Sequence, residues 1–262
     1  MHLLKTNPKA QFIFFLLLFF IVTSFRIPLT QSFYILTLCV SFSALAELVF
    51  TYTRKKTLFI PYSAIIMGLI LSLVINPYTQ WFQILVSCVA AIGTKHLVRV
   101  KQRHIFNPAA TGLLVTWVIY QTHPSWWSAT LYPPTTLTIP NLVIFLSLLA
   151  LAFVSCYKYK RFNTFLSFIL SFTILSLLLS PSISILSLAP KLLNPGILFY
   201  AIVMLPEPMT SPVNKKRQIL YGCVVAFIYT LIVFIMKKSG QNFPDPSIVA
   251  LLIGNLLFFR YR

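Results

Sequence analysis

Ten stretches of this chain are almost wholly apolar, set apart by prolines or by short clusters of lysine and arginine. A helix that crosses a bilayer needs about 20 apolar residues, within a range of roughly 17 to 25. On that measure the spacing predicts helices near residues 10–25, 32–52, 58–76, 79–97, 106–121, 139–157, 162–180, 192–207, 217–236 and 246–261. The fifth and eighth are short, which fits a small tilt, a broken helix or a re-entrant segment. Charged residues make up only 9% of the 262. A soluble domain carries about 25%, so this chain lacks the side chains to coat a water-facing surface. The first apolar run follows Lys5 and Lys9, as in a signal peptide. No small-residue cleavage site comes after it, so it reads as an uncleaved first helix.

Lysine and arginine number 21 against 3 acids, a formal charge of +18. In a soluble protein that balance suggests nucleic acid. Here the cations sit between apolar runs, which is the pattern of topology marking, and no nucleic-acid partner is inferred. With the N-terminus cytoplasmic and ten helices following, the cytoplasmic segments hold 17 of the 21. The outside segments hold 4: Arg26, Lys191, Lys237 and Lys238. Removing any one middle helix would move the later clusters outside. The expectation is an all-α integral membrane protein of about ten transmembrane helices, multi-pass, with N- and C-termini cytoplasmic. It forms a single polytopic domain over 1–262, with half-repeats of roughly 1–121 and 139–262. The third helix of each half breaks at proline, at Asn76-Pro77 and at Pro206-Glu207-Pro208. An odd number of helices per half inverts the second half. Two inverted five-helix repeats place binding sites at their interface, beside interrupted helices.

The three acids are the first candidates for chemistry. Glu47 lies inside the second helix, where a carboxylate costs several kcal/mol unless paired, protonated or wetted. It suits an ion or proton relay, or else a structural hydrogen bond to a neighbouring helix or a position near the cytoplasmic end close to Arg54. Glu207 sits in Pro206-Glu207-Pro208-Met209-Thr210-Ser211-Pro212, where three prolines forbid a regular helix. Freed carbonyls, the carboxylate and the hydroxyls of Thr210 and Ser211 gather at that break. Asp245, before Pro246, suits a helix N-cap. Asn107 is placed to cap a helix opened by Pro108, after the basic segment Lys95 to Arg103. The histidines show no metal-ligand spacing and no metal is assigned. Cys39, Cys88, Cys156 and Cys223 form no CxxC pair and read as small buried hydrophobes. No nucleotide-binding glycine motif, zinc-protease motif or nucleophile elbow is present.

Four segments resemble one known family. Ser63-Ala64 with Gly68-Leu69-Ile70-Leu71-Ser72-Leu73 is similar to the third helix of the membrane subunits RnfD and NqrB. Phe106-Asn107-Pro108-Ala109-Ala110-Thr111-Gly112 resembles their "FNPAA.G" segment. Glu207-Pro208-Met209-Thr210-Ser211-Pro212, then Lys215-Lys216 and Tyr221-Gly222, is similar to their "DPVTAP…KG…YG" segment, with Glu207 in place of aspartate. Pro246 to Asn255 resembles the last helix, and the four occur in order. The resemblance implies a subunit of an Rnf/Nqr-type ion-translocating electron transport complex in the cell (inner) membrane. Its partners would be the other Rnf/Nqr-type membrane subunits, with Na+ or H+ as the coupled ion. It also implies FMN, bound covalently to a threonine of an outside "SGAT" motif. The candidate is Thr130, in Ser128-Ala129-Thr130, which lacks the glycine. Glu47, Asn107, Glu207 and Thr210 are then the polar groups of an ion path. The alternative is a stand-alone channel or facilitator for a small polar solute, since the repeat arrangement also resembles that of urea transporters.

Overall fold

An Asx-Pro step opens four of the helices, and in each the mechanism is the same. Asn7, Asn107, Asn194 and Asp245 accept a backbone N–H from the first turn, and the proline that follows has no N–H to leave orphaned. The computed structural model describes residues 7–55, 59–100, 103–129, 139–179, 194–240 and 242–261. By internal packing the chain divides into two compact units, Met1–Ala129 and Thr130–Arg262.

The first unit holds α1 (Pro8–Ser24), α2 (Leu29–Lys55), α3 (Tyr62–Val74), α4 (Trp81–Leu97) and α5 (Pro108–Tyr120). A two-residue hairpin of β1 (Arg99–Val100) and β2 (Arg103–His104) joins α4 to α5. The second unit holds α6 (Ile139–Ala152), α7 (Phe162–Leu179), α8 (Pro195–Phe199), α9 (Lys215–Ser239) and α10 (Pro246–Phe258). Among the described residues ten helices answer the ten expected, nine of them within a few residues of the expected bounds, whereas the eighth is α-helical only over Pro195–Phe199 rather than 192–207. In each unit the first helix packs on the third, the second on the fourth and the fourth on the fifth.

Among the described residues, four apolar helices are long enough to cross a membrane: Leu29–Thr53, Asn141–Lys158, Phe162–Leu179 and Lys215–Ser239. At 1.5 Å per residue, the 13 residues of α3 reach about 20 Å, short of a hydrocarbon core of about 30 Å. Its last carbonyls therefore need partners from elsewhere. The segment after α5 supplies them: Ser125 and Trp126 N–H donate to Val74 O at 3.0 and 3.1 Å. Trp127 Nε1 donates to Ser72 O at 2.9 Å and Ser128 Oγ to Leu73 O at 2.7 Å. Irregular backbone at membrane depth persists only where protein covers it. Trp126 and Trp127 thus form part of a cap on α3.

The short eighth helix is broken, as its length implied. Only Pro195–Phe199 is α-helical, and Tyr200–Met204 follows as a π-helical turn. A second π segment, Phe153–Lys158, ends α6 and lies against it. Glycines set the closest helix approaches. A Cβ on Gly68 of α3 would meet the α2 backbone at Cys39 O, 2.7 Å away, and one on Gly112 of α5 would strike Ser87 O of α4. Small residues at such crossings let backbones touch, which is how membrane helices gain packing energy.

The two units share a sequence register that follows their shared packing. Gln83-Ile84-Leu85 with Cys88 on α4 matches Gln218-Ile219-Leu220 with Cys223 on α9. Before them, Asn76-Pro77-Tyr78-Thr79 matches Glu207-Pro208-Met209-Thr210.

Candidate functional site

Each unit contains a buried polar cluster. In the first, Glu47 projects from the C-terminal part of α2 and meets the last turn of α4. Lys95 Nζ donates to Glu47 Oε1 at 2.7 Å and to Ser63 Oγ, in the first turn of α3, at 2.7 Å. His96 Nε2 lies 3.1 Å from Glu47 Oε2. The Phe50 ring, one turn along from Glu47, stacks on the imidazole with centroids 5.4 Å apart and planes 7° from parallel. The Glu47 side chain is 6% exposed and that of Lys95 18%. A carboxylate this deep is tolerable because an ammonium and an imidazole replace its water. Cations in the last turn of α4 also suit the negative end of its dipole.

Glu47 stands out in the sequence alone, whereas Lys95 belongs there to a basic segment whose charges chiefly mark topology. The pairing spans 48 residues. The available signal was an acid and a base each embedded in apolar sequence, on helices whose cytoplasmic ends coincide in the expected topology.

The second cluster surrounds the break after α8. Thr210 Oγ1 donates to Glu207 Oε2 at 2.9 Å, and Thr210 and Ser211 N–H donate to Glu207 O at 3.1 and 2.9 Å. The proline-bounded segment thus closes into a turn anchored on Glu207. Arg161, 6% exposed at the start of α7, donates from Nε to Ser211 Oγ at 2.8 Å and from Nη2 to Pro208 O at 3.4 Å. Asn255 of α10 donates to Thr210 O at 3.5 Å and to the Tyr221 hydroxyl of α9 at 2.8 Å. Gln218, fully buried, donates to Lys160 O at 3.0 Å and Val213 O at 2.9 Å. Glu207 and Thr210 therefore come together as expected. Arg161, Gln218 and Asn255 were not anticipated; their residue types are unremarkable locally, and only the fold gathers them.

Glu47 belongs to the first unit's cluster, and Glu207 with Thr210 to the second's. Asn107 is buried at the head of α5, where its Oδ1 accepts the Ala110 N–H at 3.0 Å and Thr111 Oγ1 donates to its carbonyl at 2.9 Å. Its side chain serves as the helix cap. Thr130 lies outside the described residues. The two residues before it are fully buried, with Ser128 bound to the end of α3.

Fold and clusters define a polytopic helical membrane protein made of two repeated five-helix units, each holding charged groups inside. The model of the NQR2, RnfD, RnfE family matches the chain twice, over residues 5–138 and 122–259. The chain belongs to that family, with one match on each unit, and is a membrane subunit of the Rnf/Nqr type. No curated protein matches it.

Proposed function

We propose that this subunit carries part of the ion path of an Rnf/Nqr-type electron transport complex, in the cell (inner) membrane with both termini cytoplasmic. The observation that carries this reading is Glu47, held inside a membrane-length helix between one fixed cation and one titratable ring. Lys95 balances the carboxylate, and the 3.1 Å contact to His96 gives a proton somewhere to go. The same geometry disfavours Na+ at Glu47, since an ammonium and an imidazole already occupy both carboxylate oxygens. At the second cluster, carbonyl, hydroxyl and carboxylate oxygens would suit a hard cation. Arg161 stands 2.8 Å from Ser211 Oγ, however, and its charge opposes a metal ion there. Both clusters thus favour H+ as the ion handled.

In the reconstituted complex, Glu47→Gln and Glu207→Gln are each expected to slow coupled proton movement by about tenfold or more. Electron transfer with the gradient collapsed should fall much less. Wild-type pumping by both variants would remove the ion path and leave a scaffold subunit.

No step of this ion path runs through flavin. In-gel flavin fluorescence of the protein, expressed with its flavin transferase, is expected to be dark. Fluorescence that survives denaturation and disappears in Thr130→Val would instead make the chain an electron carrier.

A further inference from the structure

Five exposed cations converge at one end of the second unit. Lys160 stands in the turn between α6 and α7; Lys215, Lys216 and Arg217 open α9; Arg260 lies in the turn that closes α10. Contacts weld these segments into one surface. Gln218 binds the Lys160 carbonyl to the start of α9. Arg161 ties the same turn to Ser211 and Pro208. The Arg217 guanidinium lies over the Tyr261 ring, 4.6 Å from its centroid.

Two features of this surface run against local stability. Three cations occupy the first turn of α9, at the positive end of its dipole, where acids are preferred and none is present. Lys160 has φ +56°, a left-handed conformation suited to glycine or asparagine. Topology marking asks only for positive charge near the membrane. It does not require a lysine at the one residue of the turn that glycine would fit better, nor a lock between that turn and α9. Among the chain's three acids, Glu47 is buried and Glu207 and Asp245 are half-buried, so the exposed charge of this face is strongly positive.

The chemistry that fits is an anion attached to something apolar. Two residues beyond Lys160 begins an exposed apolar stripe on α7 (Phe162, Leu166, Leu170 and Ile174) at a spacing of one turn. Exposed Ile219 and Leu220 follow the cations on α9. Lysine and arginine bind phosphate, and basic clusters beside membrane helices take anionic headgroups. We propose that this face is a binding site for anionic phospholipid. The phosphate rests on Lys160, Lys215, Lys216 and Arg217, and the acyl chains run down the apolar stripe.

The test is thermal unfolding of the purified full-length protein in neutral detergent. Mixed micelles of phosphatidylglycerol are compared with phosphatidylcholine and with inorganic phosphate alone. Phosphatidylglycerol is expected to raise the midpoint by about 5 °C, and the other two by little. Replacing Lys215, Lys216 and Arg217 by glutamine with Lys160→Gly should abolish that difference. Should this variant fail to fold, Lys160→Gly alone suffices: its midpoint in phosphatidylcholine should not fall, because glycine suits the turn, while its phosphatidylglycerol shift shrinks. Equal shifts with both lipids, or an undiminished shift in Lys160→Gly and the fourfold variant, would overturn the proposal. So would an equal shift with inorganic phosphate, which would mean a free-anion site. Binding of polyglutamate without any lipid shift would assign the face to an acidic protein partner and overturn it likewise.

Discussion

Glu47→Ala is expected to lower the thermal midpoint by roughly 10 °C, equivalent to the 3–5 kcal/mol lost when one partner of a buried ion pair is removed. Alanine takes away the acceptor of both Lys95 at 2.7 Å and His96 at 3.1 Å. It leaves an ammonium, still bound to Ser63, without its carboxylate in a site where its side chain is only 18% exposed. Desolvation then outweighs what remains of its bonding, because the penalty for an uncompensated charge exceeds the net value of the pair. Glu47→Gln keeps an acceptor for Lys95 and should lose about half as much. The double substitution Glu47→Leu with Lys95→Leu removes both charges and should recover most of the loss. Thermal inactivation in one detergent, followed for all three, checks the ordering. A Glu47→Ala midpoint within about 2 °C of wild type would mean that water reaches Lys95, and the relay at this cluster would lose its closed geometry.

What the sequence made legible is what short spacings encode. Asn107-Pro108 and Asp245-Pro246 announced two helix starts, because an Asx cap and a proline at N1 act within three residues. Glu207 and Thr210 announced their contact, because a proline-bounded turn brings i and i+3 together. Lys95 did not announce Glu47, since a lysine at the end of an apolar helix has the same appearance whether it marks topology or crosses to another helix. Nothing in Ser125 to Ser128 signals the unsatisfied carbonyls of α3 that they cap. The π turn at Phe153–Lys158 has no proline or glycine to betray it. The repeat is a different case. Gln83-Ile84-Leu85 and Cys88 recur at Gln218-Ile219-Leu220 and Cys223, but the connection from the α8 break to α9 is longer by four residues than its counterpart. That insertion throws the two halves out of register, so an ungapped comparison aligns the breaks or the helices, never both.

Two glycines, one on α9 and one on α4, are expected to answer alanine in opposite ways. Gly222→Ala on α9 is expected to cost about 3 kcal/mol or more, enough to cut the yield of folded protein severely. The added Cβ would fall on Ser167 Oγ and lie 2.6 Å from Thr164 O and 2.9 Å from Phe168 N of α7. Ser167 has a rotamer to give, but the carbonyl and the amide belong to a helix backbone and move only if α7 and α9 separate. These two helices pack along their lengths and carry Arg161 and Gln218 at one end. Separation would therefore loosen the second polar cluster as well as the apolar contact. Gly93→Ala on α4 is the control. The nearest atom to its Cβ would be Phe50 Cζ at 3.8 Å, an ordinary contact. Alanine there should gain up to about 1 kcal/mol from helix propensity. Ser167→Ala combined with Gly222→Ala should recover only part of the loss, because Thr164 O and Phe168 N remain in the way. Folded yield by size exclusion and the unfolding midpoint measure all four chains. If Gly222→Ala matched wild type while Gly93→Ala did not, close backbone contact would not be what holds α7 to α9.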